Sequence, residues 1–196
     1  MDITELFARP DDPSSLSPEE RITVATLDSI AEHGLDGATV RVIAAKAGLN
    51  AAAVNYYYRS KDRLVEAALR GAWTHVAEDL DRIVAEASSM EEGLAVATRF
   101  LIEGAWRYPR LIRAMLVEHA VLREEAALFI RDIYRRFPEG KEGGGNDLGS
   151  VLLMGFCILS GFTGDSLAGI AGHDLSSPEG RERLSTDLAA RLFGAR

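Results

Sequence analysis

The chain has 196 residues, 47% hydrophobic and 27% charged, with a formal net charge of -8. That composition supplies a real core, in one medium domain or a small one joined to a larger one, and excludes both a wholly disordered chain and a uniformly basic polyanion binder. The single cysteine, Cys157, excludes an internal disulfide and reads as a small buried hydrophobe, and no basic segment followed by an apolar stretch marks a secretion signal. A reducing cytoplasm is the expected location.

Sustained β-branched alternation is absent, so the fold class expected is all-α. Residues 1–16 carry two prolines and several acids without periodicity and read as a flexible tail. Ser17-Pro18-Glu19-Glu20 then supplies a capping serine, a proline at the first helical position and a glutamate three residues after the cap. The helix it starts is expected to end at Gly34, with Ile22, Ala25 and Ile30 on its apolar face and Leu27 beside them.

The stretch from Thr39 to Lys61 is the most informative in the chain. Thr39 is a good N-cap for a helix whose apolar positions Val40, Ile43, Ala44 and Ala47 recur at helical spacing. In Gly48-Leu49-Asn50 the glycine accepts positive φ, the leucine plugs the angle between two helices and the asparagine caps the second, which runs from about Ala51 to Tyr57. Ala51, Ala52 and Ala53 leave that helix without bulk, so its backbone can sit close to a groove edge and offer methyls to thymine, while Asn55 suits adenine. Tyr56 and Tyr57 carry hydroxyls that reach phosphates. Arg41, Lys46, Arg59, Lys61 and Arg63 surround them, with Asp62 as the only acid in 39–63. Positive charge focused on one stretch of an acidic chain is what a docking surface for DNA requires. Tyr58 reads as a packing residue.

From about Ile22 to Leu69, the segments ITVATLDSIAEHG, LDGATVRVIAAKAGLN and AAAVNYYYRSKDRLVEAAL resemble, in order and without a gap, the tetracycline-repressor (TetR) family of bacterial transcription regulators. The resemblance implies that Thr39 touches phosphate, that Arg41 reaches a base, and that Ala51, Ala52, Ala53 and Asn55 face the major groove. Tyr56, Tyr57 and Lys61 would hold the backbone. The pattern departs from the family at two positions: a Lys or Gln is common where Ala51 stands, and a Tyr where Asn55 stands.

Ser60 can cap a long helix from Lys61 to about Ala87, on which Val65, Leu69, Ala72, Val76, Leu80, Ile83 and Ala87 recur at steps of three and four. Further helices are expected at Glu91 to about Tyr108, with Leu94, Ala97, Leu101, Ala105 and Tyr108 on one face and Phe100 and Trp106 off it, at Leu111 to Ala120 after the break at Pro109, and at Arg123 to Phe137. PEGKEGGGND, 138–147, reads as a linker. Leu148 to about Ile170 is the most apolar segment; Ser160, Thr163 and Asp165 interrupt it and flanking anchors are missing, so a membrane span is rejected. Ser160, Gly164 and Ala168 form a small-residue stripe there. Leu184, Leu188 and Leu192 form a second stripe on a last helix begun by Ser177-Pro178. Together they read as the interface of a homodimer, and the family pairs its last two helices in this way.

The expected organisation is a tail at 1–16, a three-helix DNA-binding domain at 17–62 and a larger helical effector-binding and dimerisation domain at 63–196, about nine helices in all. The resemblance also implies an apolar cavity for a small hydrophobic or aromatic effector, lined by Trp73, Phe100, Trp106, Met115, His119 and Phe129, although each of these residues also suits an ordinary core. His33, His75, His119 and His173 lack ligand spacing, so no metal is expected. No nucleophile or phosphate-loop motif stands out, so neither enzymatic activity nor a cofactor is expected. The function expected is a homodimeric, ligand-responsive repressor on a palindromic operator. The rivals are a regulator without effector, either constitutive or activating, and a helical enzyme or adaptor that kept the fold.

Overall fold

The computed structural model describes residues 15–118 and 174–193. Every regular element among them is helical: α1 (Pro18–Gly37), α2 (Val40–Lys46), α3 (Ala51–Tyr58), α4 (Lys61–Glu86), α5 (Met90–Arg107), α6 (Pro109–Arg113), a π-helical turn at Ala114–Glu118, and α7 (Pro178–Phe193). The segments expected at 123–137, 138–147 and 148–170 lie outside the described residues, and Cys157, Ser160, Gly164 and Ala168 lie outside with them. The chain divides into two compact units, whose described parts are 15–76 with 110–118, and 77–109 with 174–193.

In the first unit, local chemistry starts α1 as the sequence predicts. Ser17 Oγ accepts the Glu20 N–H at 3.2 Å, and the Ser17 N–H donates to Glu20 Oε2 at 2.7 Å. Hydrogen bonding from the Ser17 side chain and from its N–H favours the ionised carboxylate and holds the Glu20 carboxyl below its ordinary value. The end of α1 differs from expectation. Gly34 does break the helix, at φ 72 and ψ 177, but the chain makes one more turn to Gly37, closed by the Ala38 N–H on the Gly34 carbonyl at 3.1 Å. Only glycine takes that conformation without strain, so the residue interrupts the helix without ending it. The core of this unit is formed by Ile22, Ala25 and Ile30 of α1, Ile43 and Ala44 of α2, Val54 of α3, and Leu64, Val65, Ala68 and Leu69 of α4. The helical segment expected at 111–120 starts two residues earlier, at Pro109, and residues 119 and 120 lie outside the described residues. After five residues it passes into the π-helical turn, which packs on α1.

The second unit is organised by the packing of α5 on α7. Ser89 caps α5, accepting the Glu92 N–H at 3.1 Å, while the Ser88 N–H donates to Glu92 Oε2 at 2.8 Å. Tyr108 ends the helix at φ -129 and ψ 52, outside the α region that a following proline disfavours. Phe100, read from the sequence as lying off the apolar face, is buried together with Ala97, Leu101, Ile102 and Ala105. An α5 covered by a neighbouring helix buries a wider arc than the narrow stripe suggests. Glu103 and Arg181 are buried too, each 5% exposed. Arg181 Nε donates to Glu103 Oε1 at 2.7 Å and Nη2 to Oε2 at 3.1 Å, while Nη1 donates to the carbonyls of Leu175 at 2.9 Å and Ser176 at 3.1 Å. The guanidinium lies 5.1 Å from the centre of the Trp106 ring. Charge, hydrogen bonds and ring face are all matched, which a buried ion requires. Ser177 starts α7 as expected, its Oγ accepting the Gly180 N–H at 3.0 Å.

Candidate nucleic-acid interface

The two short helices of the reading stretch are each fixed by a side-chain cap. Thr39 Oγ1 accepts the Val42 N–H at 3.3 Å at the start of α2, and Asn50 Oδ1 accepts the Ala53 N–H at 2.9 Å at the start of α3. Between them Gly48 adopts φ 67, and the Leu49 N–H closes on the Ala44 carbonyl at 2.9 Å. The turn therefore rests on one glycine and two caps.

The helix that follows presents its small and polar residues outward. Ala51, Ala52, Asn55, Tyr56 and Tyr57 are exposed, Ala53 is half-buried, and Val54 faces the core at 1% exposure. Tyr56 is 82% exposed, and its ring meets that of Tyr57 edge to face, centroids 5.5 Å apart and planes at 86°. Tyr58 is half-buried, its hydroxyl 3.3 Å from Thr23 Oγ1, in line with a packing role. Arg59 ends α3 in the left-handed region at φ 52, its N–H donating to the Asn55 carbonyl at 3.0 Å. Ser60 then caps α4: its Oγ accepts the Arg63 N–H at 3.3 Å and its carbonyl the Leu64 N–H at 3.2 Å.

The five cations of this stretch fall into two groups. Arg41, Arg59 and Arg63 are exposed and form no ion pair among the described residues. Lys46 is paired with the Glu32 carboxylate, and Lys61 Nζ donates to the Leu35 carbonyl at 2.6 Å. Sequence reasoning missed both tethers, because a residue's partner across the fold leaves no mark in the spacing.

The remaining candidates are divided between the two units and the residues outside the description. Trp73 and Met115 are buried in the first unit; Phe100 is buried and Trp106 half-buried in the second; His119 and Phe129 lie outside the described residues. Leu184 is half-buried on α7, which also carries Leu188 and Leu192. Among the described residues no group of His, Cys, Asp or Glu could hold a metal, and no helix is long and apolar enough to cross a membrane.

Two capped helices joined by a glycine turn, the second small and polar on its open face and bordered by tyrosines and arginines, define a helix-turn-helix protein. Residues 22–68 match the family described as bacterial regulatory proteins, tetR family. It is 32% identical over 117 residues to an uncharacterized HTH-type transcriptional regulator of Mycobacterium bovis, a match covering 59% of this chain and 55% of the relative. The chain thus spans about half the length of the curated relatives it matches. Among solved structures, the fatty acid degradation regulator FadR from Bacillus halodurans superposes with a TM-score of 0.65 at 19% identity, covering 90% of this chain and 98% of that one. AibR, solved in complex with isovaleryl coenzyme A and operator DNA, superposes with a TM-score of 0.60 at 16% identity, covering 90% and 98%. At such identities the likeness is one of fold.

Proposed function

We propose that the protein is a transcription regulator that binds double-stranded DNA as a homodimer, represses from a palindromic operator, and is released by a small hydrophobic effector. The observation that supports DNA binding most is the open face of α3, where Ala51, Ala52 and Asn55 leave room for a groove edge beside Tyr56, Tyr57 and arginines without ion pairs among the described residues. Arg41, Asn55 and the three alanines read bases; Thr39, Tyr56, Tyr57 and Lys61 hold phosphates; Asn50 sets the start of the reading helix. Two subunits bring two such helices about 34 to 36 Å apart, one duplex turn, and so require an operator with matching symmetry.

The effector would act on the DNA-binding unit through α4, which has residues in both units. To reverse a 1:99 population it must prefer the DNA-incompetent state by about 5.5 kcal/mol. In AibR the same fold is recorded with an acyl-coenzyme A and DNA together, which supports an acyl thioester or a similar apolar ligand here. A second reading, a regulator without effector, is favoured by the burial of Trp73, Phe100 and Met115, which suits them to a plain core.

Selection of bound sequences from random duplexes tests the first half. The expected result is a palindrome, and Asn55→Ala is expected to relax choice at one base pair by about 1 to 3 kcal/mol while leaving the others unchanged. Recovery of unselected sequence would overturn it. Titration of the bound operator with acyl thioesters and aromatic acids separates the two regulatory readings, since only a ligand-responsive protein is released.

A further inference from the structure

Three cations from three different elements converge on the end of α1. Lys46 of α2 pairs with the Glu32 carboxylate, Lys61 at the start of α4 donates to the Leu35 carbonyl at 2.6 Å, and Arg110 of α6 donates to the carbonyl of Glu32 itself. His33 Nε2 also lies 3.5 Å from the Glu32 carboxylate. The place is physically apt. Carbonyls at a helix C-terminus lack intrahelical partners and carry the negative end of the helix dipole, and the break at Gly34 puts such an end here. α1 itself packs on α2 and on the π-helical turn.

Two of these cations belong to the reading stretch and tie the last residue of α2 and the first of α4 to Glu32 and Leu35, on either side of the Gly34 break in α1. Arg110 is the outsider. It lies far along the chain, after the Pro109 break, yet it belongs to the same compact unit as the helix-turn-helix. We propose that Arg110 is a positioning residue for DNA binding: by holding the Glu32 carbonyl it fixes the α1 end to which Lys46 and Lys61 tie α2 and α4, and so sets the pose of α3. This rests on the DNA-binding reading above. It also gives the segment after Pro109 a hold on the reading helices through the end of α1, a route other than α4.

The test uses the full chain and the duplex obtained by selection, with affinity measured over a range of salt. Arg110→Ala is expected to weaken operator binding about three- to tenfold, within the range of mutations that touch neither ligand. Its salt dependence should match that of the parent protein, because a positioning residue neutralises no phosphate, whereas each lost phosphate contact flattens the log–log slope by about 0.9. Arg110→Lys, which keeps a donor, should recover most of the loss. Arg113→Ala should change nothing, because Arg113 pairs within its own segment, with Glu118 at 2.7 Å. Combining Arg110→Ala with Lys46→Met should weaken binding by less than the product of the two, since both release the same turn. Thermal unfolding of each variant shows whether it is folded at the binding temperature. The inference is overturned if Arg110→Ala binds like the parent, if its salt slope falls by a full contact, if Arg110→Lys is no better than alanine, or if Arg113→Ala is equally weak. A parent protein that selects no sequence at all would instead overturn the DNA-binding reading, and this inference with it.

Discussion

Arg59 is the only non-glycine residue with positive φ among those described, at 52, and it ends the reading helix. A left-handed conformation in a side chain of this kind costs about 1 to 2 kcal/mol, which glycine would not incur. An exposed arginine retained there in spite of that strain points to its charge as the reason. Arg59→Gly is therefore expected to raise stability against denaturant by about 1 kcal/mol while flattening the salt dependence of DNA binding by about 0.9. Arg59→Ala should flatten the salt dependence in the same way without the gain in stability, since alanine keeps the strain and loses the charge. Denaturant titration and binding over a salt series check both outcomes. At this scale the sequence was highly legible. Ser17, Thr39, Asn50, Ser60 and Ser177 all cap as their types and spacing predict, because a cap is a contact between near neighbours in the chain. The cap at Ser89 carried the same Ser-x-x-Glu signal, with Glu92, and was overlooked.

Helices show where spacing stops being informative. Periodicity located α4 and α5 to within a residue, but it placed Phe100 off the apolar face and was silent on Glu103 with Arg181. Spacing describes one helix at a time; it does not say that α7 will cover α5, nor that a glutamate and an arginine far apart in sequence will meet in the contact. That pair dictates a specific outcome. Glu103→Gln leaves the buried Arg181 without its counter-ion and should destabilise the fold by about 3 to 5 kcal/mol, Arg181→Met leaves Glu103 only the longer contact to Arg107 at 3.9 Å, and replacing both by apolar residues of similar volume should recover most of the loss. Denaturant unfolding of the two single variants and the double variant decides it. A double variant as unstable as the worse single one would mean that the bonds from Arg181 to Leu175 and Ser176, not the ion pair, hold the start of α7 to α5.

For the whole molecule, the symmetric reading demands a dimer. Sedimentation of the free protein at micromolar concentration should show two chains, and Leu184→Glu with Leu188→Glu on α7 should yield monomers that bind a half-site weakly. A monomeric parent would remove the basis for a palindromic operator. The anchoring of α3 bears on the energetics of that complex. An eight-residue helix is too short to persist in water on its own, and α3 sinks a single fully buried side chain, Val54, into the core. Its amide protons should consequently exchange with solvent through local openings far cheaper than global unfolding, faster than those of Leu64 to Leu69 on α4. Operator binding would close those openings, so that part of the recognition free energy is spent on ordering the reader itself. Sequence discrimination then carries a folding signature, a more negative heat capacity change on the correct duplex than on an arbitrary one.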